Sequence, residues 1–163
     1  MIILHAGLIA LRIGGYWRGV LIQGASGAGK SDLALRALDD GFRLVADDRT
    51  VVWASGGALF GRAPEVLAGL IEARGQGLVS EAPLALAEIL LVAALAKPDA
   101  IERMPEPDTV SIVGVTVARL SIDAQAPSAP ARLRRAMEHL GAARQQAYQA
   151  CPLGGGAPRR DRG

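Results

Sequence analysis

The sequence predicts an α/β protein in which helices flank a mixed β-sheet, one of them near the C-terminal end. The chain has 163 residues, of which 50% are hydrophobic. That length corresponds to one domain, and the apolar fraction is enough for a core, which excludes a disordered chain. The order of the predicted elements is strand, glycine-rich turn, helix and strand, followed by further strands. This order favours a mixed sheet.

Short strand patterns separated by glycine-rich turns dominate the first half of the chain. Apolar residues at helical spacing before Gly41 predict a helix over residues 31–40. Pro64 near a first turn and Gly75 after a last turn predict a second, short helix over residues 64–74. We expect strands over residues 8–13, 19–23 and 42–46, and a hairpin formed by residues 50–53 and 58–60.

The second half is predicted to end in a long helix. Residues 84–96 are compatible with a helix or with a buried strand, because their periodicity is weak. Strands are expected over residues 109–113 and 115–122. Ser128 and Pro130 begin a helix that continues to about Tyr148, with its core face formed by Leu133, Ala136, Met137 and Leu140. We expect one domain over residues 1–150 and a disordered tail over residues 151–163.

Composition excludes several classes of protein. A single cysteine, Cys151, cannot form an internal disulfide, which indicates a reducing compartment such as the cytoplasm. The stretch 84–96 is interrupted by Glu88 and is too short to span a bilayer. Residues 1–5 lack the basic region of a signal peptide. We therefore expect no membrane association.

Positive charge is concentrated towards the end of the chain. Residues 131–163 carry 7 basic and 2 acidic side chains, whereas residues 1–130 carry 11 basic and 14 acidic ones. Such a segment could contact nucleic acid, but only 4% of the residues are aromatic, so bases would find few stacking partners. An exposed helix face or an acidic protein partner is the favoured interpretation.

One motif carries specific chemistry. Between an apolar strand and a helix, the chain matches the P-loop pattern G-x-x-x-x-G-K-[ST] at every fixed position. Glycines let backbone N–H groups turn towards phosphate oxygens, the lysine reaches the β- and γ-phosphates, and the serine hydroxyl can ligate Mg²⁺. The predicted nucleotide-binding residues are Gly24, Ala25, Ser26, Gly27, Ala28, Gly29, Lys30 and Ser31.

Two adjacent carboxylates, Asp47 and Asp48, follow the strand predicted over residues 42–46. P-loop enzymes commonly keep an acidic residue on a neighbouring strand end beside the metal. One carboxylate could lie near the metal and the other near the attacking group, and spacing alone does not assign the two roles. The alternative is a turn with a surface ion pair between Asp48 and Arg49.

These residues also carry a family resemblance. The segment 24–53 strongly resembles the bacterial HPr kinase/phosphorylase family, in a short form that contains only the catalytic domain, as in α-proteobacteria. Residues 70–78 are similar to that family's Glu-x-Arg-Gly-x-Gly signature, and Leu4-His5 to its Leu-His pair. The resemblance covers about residues 4–140.

The resemblance implies an ATP-dependent, Mg²⁺-requiring kinase that phosphorylates a seryl residue of the phosphocarrier protein HPr. It also implies a reverse reaction by phosphorolysis to pyrophosphate, and a homo-hexamer. Asp47 would be the base and Asp48 would assist at the metal or the phosphates. Ser31 and Glu72 would ligate Mg²⁺. His5 and Arg103 would lie near the transferred phosphate.

Other interpretations stay open at this point. The chain could be a P-loop kinase of a small molecule, or a nucleotide-binding sensor without transferase activity. Glu72 and Arg74 could form the polar face of a short helix, and Arg103 could belong to a solvated loop.

Overall fold

The backbone of residues 1–149 and the side chains of residues 1–140 are described by a computed structural model. The tail expected over residues 151–163, with Cys151, lies outside the described residues. The helices are α1 (Lys30–Asp39) and α2 (Ala129–Gln149). The strands are β1 (Ile2–Leu4), β2 (Ala6–Ile13), β3 (Tyr16–Gln23), β4 (Arg43–Ala46), β5 (Thr50–Ser55), β6 (Ala58–Arg62), β7 (Leu70–Ala73), β8 (Gly77–Ser80), β9 (Ala87–Leu95), β10 (Asp108–Ile112) and β11 (Val115–Ile122).

Nine of these strands form one mixed sheet, in the order β1-β5-β6-β9-β3-β2-β4, with β11 and β10 joined through β9. β9 is parallel to β3 and β11, and the other pairs are antiparallel. The beginning of β9 pairs with β6 through Ala87 and Glu88, and its later residues, Leu91–Leu95, pair with β11. One edge of β9 therefore serves two partners. β7 and β8 form a separate hairpin.

Apolar layers cover both faces of the central strands. On β2, Ile9 and Leu11 belong to the layer that contains α1 and α2, while Leu8 and Ala10 point to the opposite layer. Successive side chains of a strand point to opposite faces, so a strand buried on both faces is apolar throughout. The segments predicted as strands over residues 8–13 and 19–23 therefore form β2 and β3 in the interior of the sheet, whereas residues 42–46 form β4 at its edge.

A Schellman motif ends α1. The amide of Phe42 donates to the carbonyl of Ala37 and the amide of Gly41 to that of Leu38, both at 3.1 Å. Gly41 has a φ of 87°, a left-handed conformation that glycine adopts without steric cost. The predicted end of this helix is confirmed to within a residue.

The predicted long C-terminal helix is confirmed as α2. Leu133 and Met137 are fully buried, and Ala136 and Leu140 pack against the same layer. All four residues expected on the core face therefore contact the core.

The short helix expected over residues 64–74 is wrong. Only a single 3₁₀ turn, Glu65–Leu67, forms there, and β7 follows it. Gly69, at a φ of 76°, redirects the chain, and Gly75 belongs to the turn between β7 and β8 rather than to a helix end. The open choice for residues 84–96 is settled as strand β9.

No helix within residues 1–149 combines the length and the apolar character needed to cross a membrane.

Candidate functional site

The loop between β3 and α1 exposes backbone N–H groups. Gly27 and Gly29 have φ values of 76° and 95°, which residues with a Cβ rarely adopt. Gly29 caps α1 without a side-chain hydrogen bond, and the amides of a helix's first turn lack intrahelical partners. The loop therefore presents free amides and the positive end of the helix dipole, an arrangement that suits an anion.

Lys30 is held inside this loop. Its Nζ donates to the carbonyls of Gly24 and Ala25, at 2.9 and 3.0 Å, and only 7% of the residue is exposed. Because these carbonyls are neutral, no negative charge cancels that of the ammonium, and the ammonium can attract a nearby anion. The residue that the motif assigns to the phosphates is thus already oriented in the loop.

Asp47 is buried immediately after β4, with 8% of its surface exposed. Its Oδ2 accepts the backbone N–H of Glu72 at 2.9 Å, and its Oδ1 has no hydrogen-bond partner among the described residues. Burial raises the pKa of Asp47. The Glu72 amide and the nearby Ser31 hydroxyl act in the opposite direction, although Ser31 does not complete a hydrogen bond to Oδ1.

Asp48 differs from its neighbour in exposure, because its side chain is 57% exposed. Its Oδ1 lies 2.8 Å from Nε2 of His5, and its Oδ2 lies 3.7 Å from Nε of Arg49. His5 is placed there by β1, whose Leu4 pairs with Thr50 just after the two aspartates. The ion pair between Asp48 and Arg49 that the sequence suggested is present, but the shorter contact is to His5.

The β7–β8 hairpin contributes Glu72 and Arg74. Ile71 and Ala73 point into the core, so Glu72 between them points outward. Gly75, with a φ of 85°, lies in the turn, and Gly77, with a φ of 89°, begins β8. The interpretation of Glu72 and Arg74 as the polar face of a helix is therefore wrong.

Most of the predicted site residues meet in one cleft of about 240 Å³. Asp48, but not Asp47, lines this cleft. Arg103, in the exposed segment between β9 and β10, is also absent from its lining. The lining residues are His5, Ser26, Gly27, Gly29, Lys30, Ser31, Asp32, Leu35, Asp48, Glu72, Arg74 and Gln125.

Sequence reasoning missed Asp32, Leu35 and Gln125 as lining residues. Asp32 and Leu35 follow the P-loop motif on α1, so helical periodicity could have placed them beside it. Gln125 lies in the turn before α2, about a hundred residues from the loop. No local pattern marks that proximity.

The cleft fits a nucleotide and Mg²⁺. Among the described side chains, those of residues 1–140, no group of three or more His, Cys, Asp or Glu could hold a metal ion. Mg²⁺ does not require such a group, since it usually takes one or two carboxylates together with phosphate oxygens and water. The water ligands of a hydrated cation would donate hydrogen bonds to the unpartnered Oδ1 of Asp47. Phosphate oxygens would accept hydrogen bonds from the loop amides.

The fold and this cleft define a mixed α/β protein built around a strand, a glycine-rich loop and a helix. The model of the family HPr Serine kinase C-terminal domain matches residues 3–151. The chain belongs to this family.

Individual relatives agree with the family match. HPr kinase/phosphorylase of Streptococcus thermophilus is 52% identical over 65 residues, which cover 39% of this chain and 21% of that protein. The Clostridium perfringens protein of the same name is 44% identical over 69 residues, covering 42% and 22%. The chain thus matches about a fifth of the length of these relatives.

A solved structure extends the similarity over nearly the whole chain. The HPr(Ser) kinase/phosphatase from Coxiella burnetii superposes with a TM-score of 0.70 at 26% identity, covering 92% of this chain and all of that one.

Proposed function

We propose that this chain is an ATP-dependent kinase that phosphorylates a seryl residue of HPr and reverses the reaction by phosphorolysis. The observation that carries the proposal is the exposed Asp48, paired with His5, in the cleft that Lys30 and Ser31 also line. Phosphoryl transfer depends on positioning, charge neutralisation and a well-placed base. These residues supply all three.

In this proposal Asp48 is the base. A base must reach the proton that it removes, and Asp48 lines the cleft whereas Asp47 is buried behind it. This exchanges the two roles that the family resemblance implied. Hydrogen bonding to His5 orients the Asp48 carboxylate.

The forward step follows from this placement. Asp48 accepts the proton of the seryl hydroxyl while the seryl oxygen forms a bond to the γ-phosphorus of ATP. The bond between the γ-phosphorus and the β,γ-bridging oxygen breaks, and ADP leaves. In the reverse step an oxygen of hydrogen phosphate forms a bond to the phosphorus of the seryl phosphate, and the bond between that phosphorus and the seryl oxygen breaks. Asp48 takes the proton of the attacking hydrogen phosphate and gives it to the seryl oxygen, so that the products are the seryl hydroxyl and pyrophosphate.

The remaining residues bind and neutralise charge. The loop amides over residues 24–31 and the Lys30 ammonium hold the phosphates. The Ser31 hydroxyl and the Glu72 carboxylate would hold Mg²⁺, and Asp47 would accept hydrogen bonds from its water ligands. When bound, Mg²⁺ supplies positive charge at the phosphoryl oxygens. Arg103 would have to approach the cleft through a movement of its exposed segment.

Three further expectations belong to the same proposal. The catalytic domain would span residues 1–150, the protein would work in the cytoplasm, and it would form a homo-hexamer. The hexamer is supported by the family resemblance, and the cytoplasm by the single cysteine of the sequence. The domain bounds are supported by the residues that the resemblance covers, about 4–140.

The test is transfer from radiolabelled ATP to purified HPr, followed by addition of inorganic phosphate. We expect labelled HPr, and then loss of its label into pyrophosphate. Lys30→Ala should abolish transfer, because the charge facing the phosphates is lost. The matched control is Lys97→Ala, which removes the only other lysine, an exposed one. Transfer by Lys30→Ala at the rate of Lys97→Ala would contradict the proposal.

A further inference from the structure

We propose that Gln125 donates a hydrogen bond from its side-chain amide to a phosphate oxygen of the bound nucleotide. This inference rests on the proposed function, since it assigns a further residue to the nucleotide site. Gln125 lines the same cleft as Lys30 and Ser31 but comes from the turn before α2. It would bring a neutral donor to the phosphates from a second element of the fold.

The position of the carboxamide supports a contact with phosphate. Nε2 of Gln125 lies 3.2 Å from the point where a Cβ on Gly29 would stand. Gly29 separates the loop from the first turn of α1, where the free amides are. The amide of Gln125 therefore lies beside the amides that suit an anion, and its carboxamide makes no hydrogen bond with the described groups of residues 1–140.

The turn that carries Gln125 is held in place at three points. The backbone N–H of Gln125 donates to Oδ1 of Asp123 at 2.9 Å. From α1, the Arg36 guanidinium donates to the carbonyls of Ala124 and Ala126. Arg36 also pairs with Asp32 at 2.9 Å. Because α1 begins at the glycine-rich loop, Arg36 connects that loop to the turn and fixes the distance between them.

The side chain itself remains exposed, so its substitution does not disturb the core. Gln125→Glu keeps the shape and places a negative charge beside the phosphates. Gln125→Ala removes the carboxamide without adding a charge. The matched control is Gln76→Ala, which truncates an exposed glutamine in the turn between β7 and β8, outside the cleft lining.

The experiment measures binding of Mg·ADP and of inorganic pyrophosphate by titration calorimetry, with melting temperatures recorded for every variant. We expect Gln125→Ala to weaken both ligands about tenfold, as for a hydrogen bond to a charged group. Gln125→Glu should weaken them further, by about a hundredfold at low ionic strength, and salt should reduce that excess. Gln76→Ala should bind both normally.

Three results would overturn the inference: equal effects of Gln125→Ala and Gln125→Glu, normal binding by both, or weakened ADP binding with unchanged pyrophosphate binding. The last pattern would assign the contact to the ribose or the base. Lys30→Ala separates this inference from the function that it rests on. If Lys30→Ala loses binding and Gln125→Ala binds normally, only the proposed Gln125 contact is refuted. If Lys30→Ala binds normally, the proposed nucleotide site itself is refuted.

Discussion

Asp47 and Asp48 are adjacent in sequence but occupy opposite environments. One is buried with an unpartnered oxygen, and the other is exposed and paired with His5. Neighbouring residues at a strand end point in different directions, so this difference arises from the backbone. Their side chains can therefore be tested separately.

We expect Asp48→Asn to lower single-turnover transfer to HPr by two to four orders of magnitude, the usual range for general acid–base catalysis, with ATP binding near normal. Asparagine keeps the contact to His5 but cannot accept the seryl proton. Asp47→Asn should instead raise the Mg²⁺ concentration needed for half-maximal rate. If Asp47→Asn lacks transfer at saturating Mg²⁺ and Asp48→Asn retains it, the roles are those implied by the family resemblance.

Burial of Asp47 also affects stability. Because its folded-state pKa is raised above 3.8, protonation favours the folded state, and this contribution is lost as pH rises through the folded-state pKa. Asp47→Asn should therefore melt about 2–4 °C above the wild type at pH 7, equivalent to about 1 kcal/mol. The difference in melting temperature between Asp47→Asn and the wild type should decrease as the pH falls towards 4. Asp99→Asn, at an exposed position, is the control, and a lower melting temperature for Asp47→Asn at pH 7 would contradict the argument.

Val113 has a φ of 51° in the two-residue turn between β10 and β11. A β-branched residue is strained there, and Asn-Gly is the preferred sequence of such turns. We expect Val113→Asn to raise the free energy of unfolding by about 1 kcal/mol. Val66→Asn, on a side chain that is 85% exposed, should change it by less than about 0.5 kcal/mol. Denaturant titration measures both, and an equal response would show that the turn carries no strain.

Among the elements, β2 positions Asp47 and Asp48. A Cβ on Gly7 would lie 2.9 Å from the backbone carbonyl oxygen of Asp47, so only glycine lets the end of β4 approach this closely. The packing of a non-catalytic strand thus determines where Asp47 and Asp48 lie.

We expect Gly7→Ala to reduce transfer ten- to a hundredfold, because small displacements of reacting groups are costly, with ADP binding little changed. Gly19→Ala is the matched control, since its Cβ would meet Leu8 at 3.0 Å and the Glu88 carbonyl at 3.2 Å. Gly19→Ala should lose as much stability as Gly7→Ala, but its transfer rate should not fall more than its ADP binding does. If Gly7→Ala and Gly19→Ala lose transfer activity to the same extent, the effect of Gly7→Ala is general destabilisation.

The secondary-structure elements also show how much of the fold could be predicted from the sequence. Apolar runs identified β2 and β3, but they left the segment of β9 open between a helix and a strand. The motif spacing identified Lys30 and Ser31 at the start of α1. The β7–β8 hairpin was missed because a four-residue strand such as Leu70–Ala73 is too short for its period to be distinguished from a helical turn. Gln125 could not be found, since tertiary packing alone brings it to Gly29.

For the whole molecule, charge distribution bears on how a protein acceptor would dock. Arg132 and Arg135 are exposed on α2, in the basic part of the sequence. Exposed charges steer association and act mainly on the rate of encounter.

We expect the double variant Arg132→Glu/Arg135→Glu to raise the KM for HPr about tenfold at low salt, with kcat little changed and the difference reduced at high salt. Arg12→Glu, at the end of β2 away from the cleft, is the control. Phosphorylation insensitive to the double reversal would show that this face of α2 does not receive the acceptor.

The position of β9 in the sheet has a consequence for translation. On the ribosome, β3 and the glycine-rich loop emerge well before β9, so the nascent β3 is paired on one side only, by β2. Its second neighbour arrives with residues 87–95, and Gln125 comes later still. During that interval the apolar edge formed by Val20, Leu21 and Ile22 can pair with strands of other nascent chains. The interval between the emergence of β3 and the emergence of β9 from the ribosome is therefore the period in which β3 is open to mispairing.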